Sequence, residues 1–152
     1  MLPGSYRPRD PRDSGARARA PRALVIEDAE ESREMYAYEL ELSGFTVSQA
    51  SDGEEGLREV QRFDPDVIVL DLVLPGVSGF SVARTVRSQG RHWHVAILAV
   101  SALKSEVLRT EALGAGCDAF LCKPVVPATV VEQARIVMAR REASAPPAWM
   151  KP

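Results

Sequence analysis

The run Val67-Ile68-Val69-Leu70 gives way at once to Asp71, and that junction constrains the chain more than any other feature. Four consecutive apolar residues with no polar alternation read as a strand buried on both faces, the kind found at the centre of a parallel sheet. In open α/β sheets, ligands bind in the crevice outside the carboxyl ends of the strands. Asp71 is therefore expected at such an edge, at the start of the loop Leu72-Val73-Leu74-Pro75-Gly76. Taken alone, Asp71 could equally be a turn or capping carboxylate, so its neighbours have to decide.

The surrounding pattern alternates strand and helix. Leu24-Val25-Ile26 reads as a strand. Residues 30–43 read as a helix with apolar stripes at Met35/Tyr38/Leu42 and at Tyr36/Leu40. Gly44 stands where a helix end favours glycine. Phe45 to Ala50 alternates as a strand, and Asp52 caps a helix carrying Gly56, Leu57, Val60 and Phe63. Asp64-Pro65 ends that helix. After the central strand, Ser78 opens a helix with Val82, Ala83 and Val86 inward. Val95 to Val100 is a fourth strand, residues 104–114 a fourth helix ending at Gly114, and Ala119-Phe120-Leu121 a fifth strand. Pro127 opens a last helix bearing Val130, Val131, Ala134, Val137 and Met138. Five such units predict a parallel sheet with helices on both faces and right-handed crossovers. The expected fold is a flavodoxin-like, doubly wound (βα)5 in the strand order 2-1-3-4-5. About 120 residues are too few for an eight-fold barrel.

Charge divides the chain. Residues 1–22 hold six arginines and four prolines against Asp10 and Asp13, leaving 13 basic and 19 acidic residues in 23–152. The leader has too little apolar surface to offset its ordering entropy and is expected to be disordered. The domain is expected over 23–142, with an irregular tail at 143–152. No apolar stretch nears the roughly 20 residues of a membrane helix, and no signal-peptide core is present, so a cytoplasmic protein is expected. Cys117 and Cys122 lack metal-site spacing and read as small buried hydrophobes. His92-Trp93-His94 reads as a loop with an anchoring aromatic rather than a metal site.

In the order 2-1-3-4-5, the ends of strands one, three, four and five lie side by side. They carry Glu27-Asp28, Asp71, Ser101 and Cys122-Lys123-Pro124. Three crowded carboxylates repel: two unit charges ~4 Å apart cost about 4 kcal/mol at an effective dielectric near 20. Hard oxygen ligands, few in number and leaving room for water, suit Mg²⁺, and Lys123 adds a fixed positive charge. A divalent ion, a lysine and a hydroxyl around one aspartate form a site for phosphoryl transfer with the aspartate as nucleophile.

These motifs resemble those of response-regulator receiver domains of two-component signalling. The resemblance spans about residues 22–141. It rests on Val-Ile-Glu27-Asp28, Val-Leu-Asp71-Leu-Val-Leu-Pro75-Gly76-Val-Ser-Gly79, Val-Ser101-Ala102 and Phe120-Leu-Cys-Lys123-Pro124. It implies that Asp71 accepts a phosphoryl group from a sensor histidine kinase or a histidine phosphotransfer protein. It implies Mg²⁺ held by Asp28, by Glu27 through water, by Asp71 and by the Val73 carbonyl. Ser101 would hydrogen-bond the phosphoryl group, Lys123 would pair with it, Lys123-Pro124 would be cis, and Phe120 would follow Ser101 as a switch. A downstream protein, or a second copy forming a homodimer, would then read the surface of helix four, strand five and helix five. Glu27 and Ser101 replace the commoner Asp and Thr but keep the functional groups. Phe120 lacks a hydroxyl, so its switching would rest on packing.

Two other readings compete. A haloacid-dehalogenase-type phosphatase also uses Asp, Ser/Thr, Lys and Mg²⁺, but it needs a carboxylate where Val73 stands, and its further acids follow the lysine. A receiver-like binding module would not be phosphorylated at all. Nucleic-acid binding through the arginine leader is not expected, because its basic residues are few and Tyr6 is its one aromatic. About ten residues follow the last helix, so the chain reads as a stand-alone receiver or a fragment of a longer regulator. Beyond its self-catalysed phosphorylation and dephosphorylation, no enzymatic activity is expected.

Overall fold

The computed structural model describes residues 19–144 and residue 146. Five strands and five helices alternate: β1 (Arg22–Ile26), α1 (Glu30–Leu42), β2 (Thr46–Ala50), α2 (Gly53–Phe63), β3 (Val67–Leu70), α3 (Gly79–Ser88), β4 (Ala96–Ser101), α4 (Glu106–Gly114), β5 (Ala119–Cys122) and α5 (Pro127–Ala143), with a 3₁₀ turn at Gly90–His92. The sheet is parallel in the order β2-β1-β3-β4-β5, as expected from the alternation.

Each inner strand sends alternate side chains to opposite faces, which is why these strands read as continuous apolar runs. Leu24, Ile26, Ile68, Leu70, Ile97 and Ala99 pack beneath α2 and α3. Ala23, Val25, Val67, Val69, Leu98 and Val100 pack beneath α1 and α5, against Tyr36, Leu40, Val130 and Val137. Asp52 caps α2 by accepting from the Glu55 N–H at 2.8 Å, and Ser78 caps α3 by accepting from that of Ser81 at 3.2 Å. Asp64 closes α2 in the left-handed region, φ +50°.

Several details differ from the sequence reading. Of the two stripes on α1, only Tyr36/Leu40 is buried; Met35, Tyr38 and Leu42 are 46%, 63% and 65% exposed. Both stripes have helical spacing, and spacing alone cannot say which one meets the sheet. Cys117 is buried but Cys122 is exposed, because β5 ends there and its last side chain leaves the core. α4 ends at Gly114 as expected, and the positive φ that follows falls at Gly116 (+110°). β4 runs one residue further than expected and takes in Ser101, while α4 begins at Glu106 rather than 104. Arg22 opens β1, and Arg19 pairs with Asp66 at 3.4 Å. The expectations for residues 1–18 and for the last residues of the tail lie outside the described residues.

At the sheet edge away from the polar strand ends, the Arg87 guanidinium ties α3 to β4 and β5. It donates to the Val95 carbonyl at 2.6 Å, the Gly116 carbonyl at 2.9 Å and the Asp118 carboxylate at 2.9 Å. Asp118 also accepts from the Ile97 N–H, and Arg141 lies 3.7 Å from it while stacking on Trp93. Burial lowers the Arg87 pKa to about 10. Removing one member of such a pair strands the other charge. Arg87→Met is expected to lower unfolding free energy by about 3 kcal/mol, measured by urea titration. An unchanged midpoint would show that the network adds nothing to stability.

Candidate functional site

Register brings the polar residues together. Ile26 pairs with Leu70, and Leu70 with Ala99, so Glu27 and Asp71 stand level at the ends of β1 and β3. Ser101 pairs with Cys122, which puts Lys123 just beyond the end of β5. The Asp71 N–H donates to the Ile26 carbonyl at 3.0 Å, the Glu27 N–H to that of Ala50 at 3.1 Å, and the Lys123 N–H to that of Ser101 at 2.9 Å. The sheet ladder thus extends one step past the strands and fixes the backbone of all three residues.

The Lys123 ammonium bridges the two buried carboxylates, donating to Glu27 Oε2 at 2.9 Å and to Asp71 Oδ2 at 3.1 Å. Asp71 Oδ1 accepts from the Val73 N–H at 3.0 Å, and Glu27 Oε1 from that of Ala29 at 3.3 Å. Asp28 is exposed. Carboxylate oxygens of Glu27, Asp28 and Asp71 lie within 4.8 Å of one another. All three carboxylates expected from the sequence therefore share one pocket, and that oxygen donor set suits a hard divalent cation such as Mg²⁺.

Burial of Glu27 and the neighbouring Asp71 push the Glu27 carboxyl up to about 7, against the lowering effect of Lys123. Burial also works against the Lys123 ammonium, but its hydrogen bonds to Glu27 and Asp71 outweigh that, and its pKa rises. Burial of a carboxyl with another beside it favours the protonated form, and a divalent cation could take the place of that proton.

Ser101 is fully buried, and its Oγ accepts from the Leu103 N–H at 3.4 Å, joining the end of β4 to the loop before α4. The Phe120 ring lies in the core beside α3 and α4. The Lys123–Pro124 peptide is cis. Val73, in the loop after Asp71, is exposed.

Three neighbours were not assigned a role from the sequence. A Cβ at Gly79 would lie 2.3 Å from the Asp71 carbonyl oxygen, so only glycine lets α3 start this close to the Asp71 backbone. Tyr36 is buried near the pocket, and its hydroxyl pKa is raised by burial and by Glu27 and Asp71, against the influence of Lys123. The Arg33 guanidinium reaches back to the Glu27 carbonyl. The repeated Gly in Pro75-Gly76-Val-Ser-Gly79 hinted at the first; helical spacing concealed the other two.

The raised pKa of Glu27 has a thermodynamic consequence. A carboxyl whose folded pKa lies above its unfolded value contributes stability that is present below about 4.5 and lost as pH rises through about 7. Without metal, Glu27→Gln is expected to stabilise the protein at pH 8, with the gain vanishing toward pH 5. Thermal unfolding in a chelating buffer measures this. A Gln variant less stable than wild type at pH 8 would mean that the ion pair with Lys123 outweighs the burial penalty.

Comparison with known proteins agrees with this geometry. The profile described as the response regulator receiver domain matches residues 23–135. The alkaline phosphatase synthesis transcriptional regulatory protein PhoP of Bacillus subtilis is 36% identical over 84% of this chain and 52% of its own length. The transcriptional regulatory protein PrrA of Mycobacterium leprae is 39% identical over 83% of this chain and 53% of its own. The chain thus spans about half the length of these curated relatives. Among solved structures, the chemotaxis protein CheY4 of Vibrio cholerae is 29% identical, with a TM-score of 0.74, over 78% of this chain and 98% of that one. Among the described residues no helix is long and apolar enough to cross a membrane. The chain belongs to the response-regulator receiver family of two-component systems.

Proposed function

We propose that this chain is an Mg²⁺-dependent phosphoacceptor switch working in the cytoplasm, with the receiver unit spanning residues 23–142. The observation that carries this reading is the Lys123 ammonium held between the carboxylates of Asp71 and Glu27. An Asp71 oxygen attacks the phosphorus of a phosphohistidine on a sensor kinase or phosphotransfer protein. The P–N bond breaks as the P–O bond forms, and the departing imidazole nitrogen takes a proton. Lys123, already beside Asp71, pairs with the incoming phosphoryl oxygens. Mg²⁺, held by Asp28, Asp71 and the Val73 carbonyl, with Glu27 acting through water, would supply Lewis-acid neutralisation of phosphoryl charge.

Phosphorylation replaces about one negative charge on Asp71 by two and adds strong acceptors. The Ser101 hydroxyl, now engaged with the loop before α4, would turn toward them and release that loop. α4 is lightly anchored: Ala112 is its one fully buried residue, while Val107 and Leu113 are 75% and 44% exposed. A helix with so few buried contacts can shift for a few kcal/mol of differential contact. Phe120 would take up the space that Ser101 leaves. The surface of α4, β5 and α5 would then be read by a downstream protein or by a second copy. The DNA-binding role named for RpaA of Synechocystis belongs to a whole protein about twice the matched length. For this segment, protein partners fit better.

Incubation with acetyl phosphate and Mg²⁺ is expected to add one phosphoryl group to the intact mass, and Asp71→Asn to abolish it. Wild type that stays unlabelled with Mg²⁺ would leave a binding module without phosphorylation. Steady release of free phosphate over many turnovers would instead favour a phosphatase.

A further inference from the structure

The polar groups of Glu27 are held from every side. Its N–H donates to the Ala50 carbonyl, and its two carboxylate oxygens accept from the Ala29 N–H and Lys123. The remaining group, its carbonyl, accepts from Arg33 Nη1 at 2.9 Å, and the same nitrogen lies 3.5 Å from the Asp28 carbonyl. Arg33 sits in the second turn of α1, so its side chain folds back across the loop that carries both acids. That loop needs such a tie. The residue before α1 is Ala29, which has no side-chain acceptor to cap the helix. Among the described residues, no side-chain hydrogen bond restrains the exposed Asp28 carboxylate.

We infer that Arg33 is a positioning residue for the cation pocket, holding the backbone of Glu27 and Asp28 so that their carboxylates face Asp71. This rests on the phosphoacceptor reading with its Mg²⁺ site. Arg33 acts through hydrogen bonds to the backbone and has no part in the phosphoryl transfer itself. Its positive charge near the pocket would by itself oppose a cation, so position and charge predict opposite effects. Groups that orient metal ligands from behind typically account for 10–100-fold in metal affinity.

The experiment is calorimetric titration of the metal-free protein with Mg²⁺ alone, for wild type, Arg33→Lys and Arg33→Gln, with metal-free melting temperatures measured alongside. Arg33→Gln is expected to bind Mg²⁺ about tenfold more weakly, and Arg33→Lys, which keeps the charge and one donor, to show an intermediate loss. Metal-free melting should stay near that of wild type in both. Tighter binding by Arg33→Gln with unchanged binding by Arg33→Lys would overturn the inference and leave Arg33 as a mere repelling charge. Affinities unchanged in both would overturn it too. Weakened binding accompanied by a matching collapse of metal-free melting would also overturn it, because the role would then be structural. If wild type itself binds no Mg²⁺, the phosphoacceptor reading falls first, which separates the two failures.

Discussion

One ammonium group joins three strands at the point where the chemistry is expected. Lys123, just beyond β5, reaches across β4 to carboxylates just beyond β1 and β3. Two buried carboxylates side by side would repel, and the lysine between them offsets part of that repulsion. The pocket is therefore assembled in advance, and burial together with the neighbouring Asp71 holds the Glu27 carboxyl well above the usual carboxylate range. In the proposed reading, such a site would gain from an added cation, and Lys123 is placed to meet the charge of an incoming phosphoryl group.

The rest of the fold serves that meeting. Parallel register sets the strand ends level, and the buried double-faced sheet keeps them from sliding. At the opposite edge, Arg87 and Asp118 join α3, β4 and β5, so both ends of the sheet are tied by a half-buried cation and its carboxylate partner. The two ties differ in kind. Arg87 makes multiple fixed bonds to backbone and carboxylate, which suits permanence. Lys123 carries a compact ammonium on a flexible stem, which can change partners without disturbing the frame.

Much of this was legible in the chain. Apolar runs of three to six residues gave the buried strands, and the polar residues at their ends gave the pocket, because parallel order turns separation in sequence into adjacency in space. Caps at Asp52 and Ser78 were legible because their chemistry is local. What stayed hidden depended on tertiary orientation. Met35, Tyr38 and Leu42 have the same helical spacing as Tyr36 and Leu40, yet the sheet lies on only one side of α1. Arg33 looked like any charged residue on an acidic helix, and nothing local says that its side chain turns back to a strand end. Cys122 was misjudged because β5 ends at that residue, and burial at a strand end depends on the loop above it.

The same reasoning explains why the proposed switch would act through α4. α1 and α5 share a continuous apolar layer over the sheet, with Leu40, Val130, Ala134 and Val137 fully buried. α4 contributes Ala112 to the opposite layer and little more. A given push at the pocket moves the element with the least buried surface, because restoring force scales with the contacts that must break. Ser101 lies at that junction: its backbone belongs to β4 and its hydroxyl holds the loop before α4. A change at Asp71 drawing that hydroxyl away would act on the most weakly held helix, while the strands carrying the chemistry stay in place.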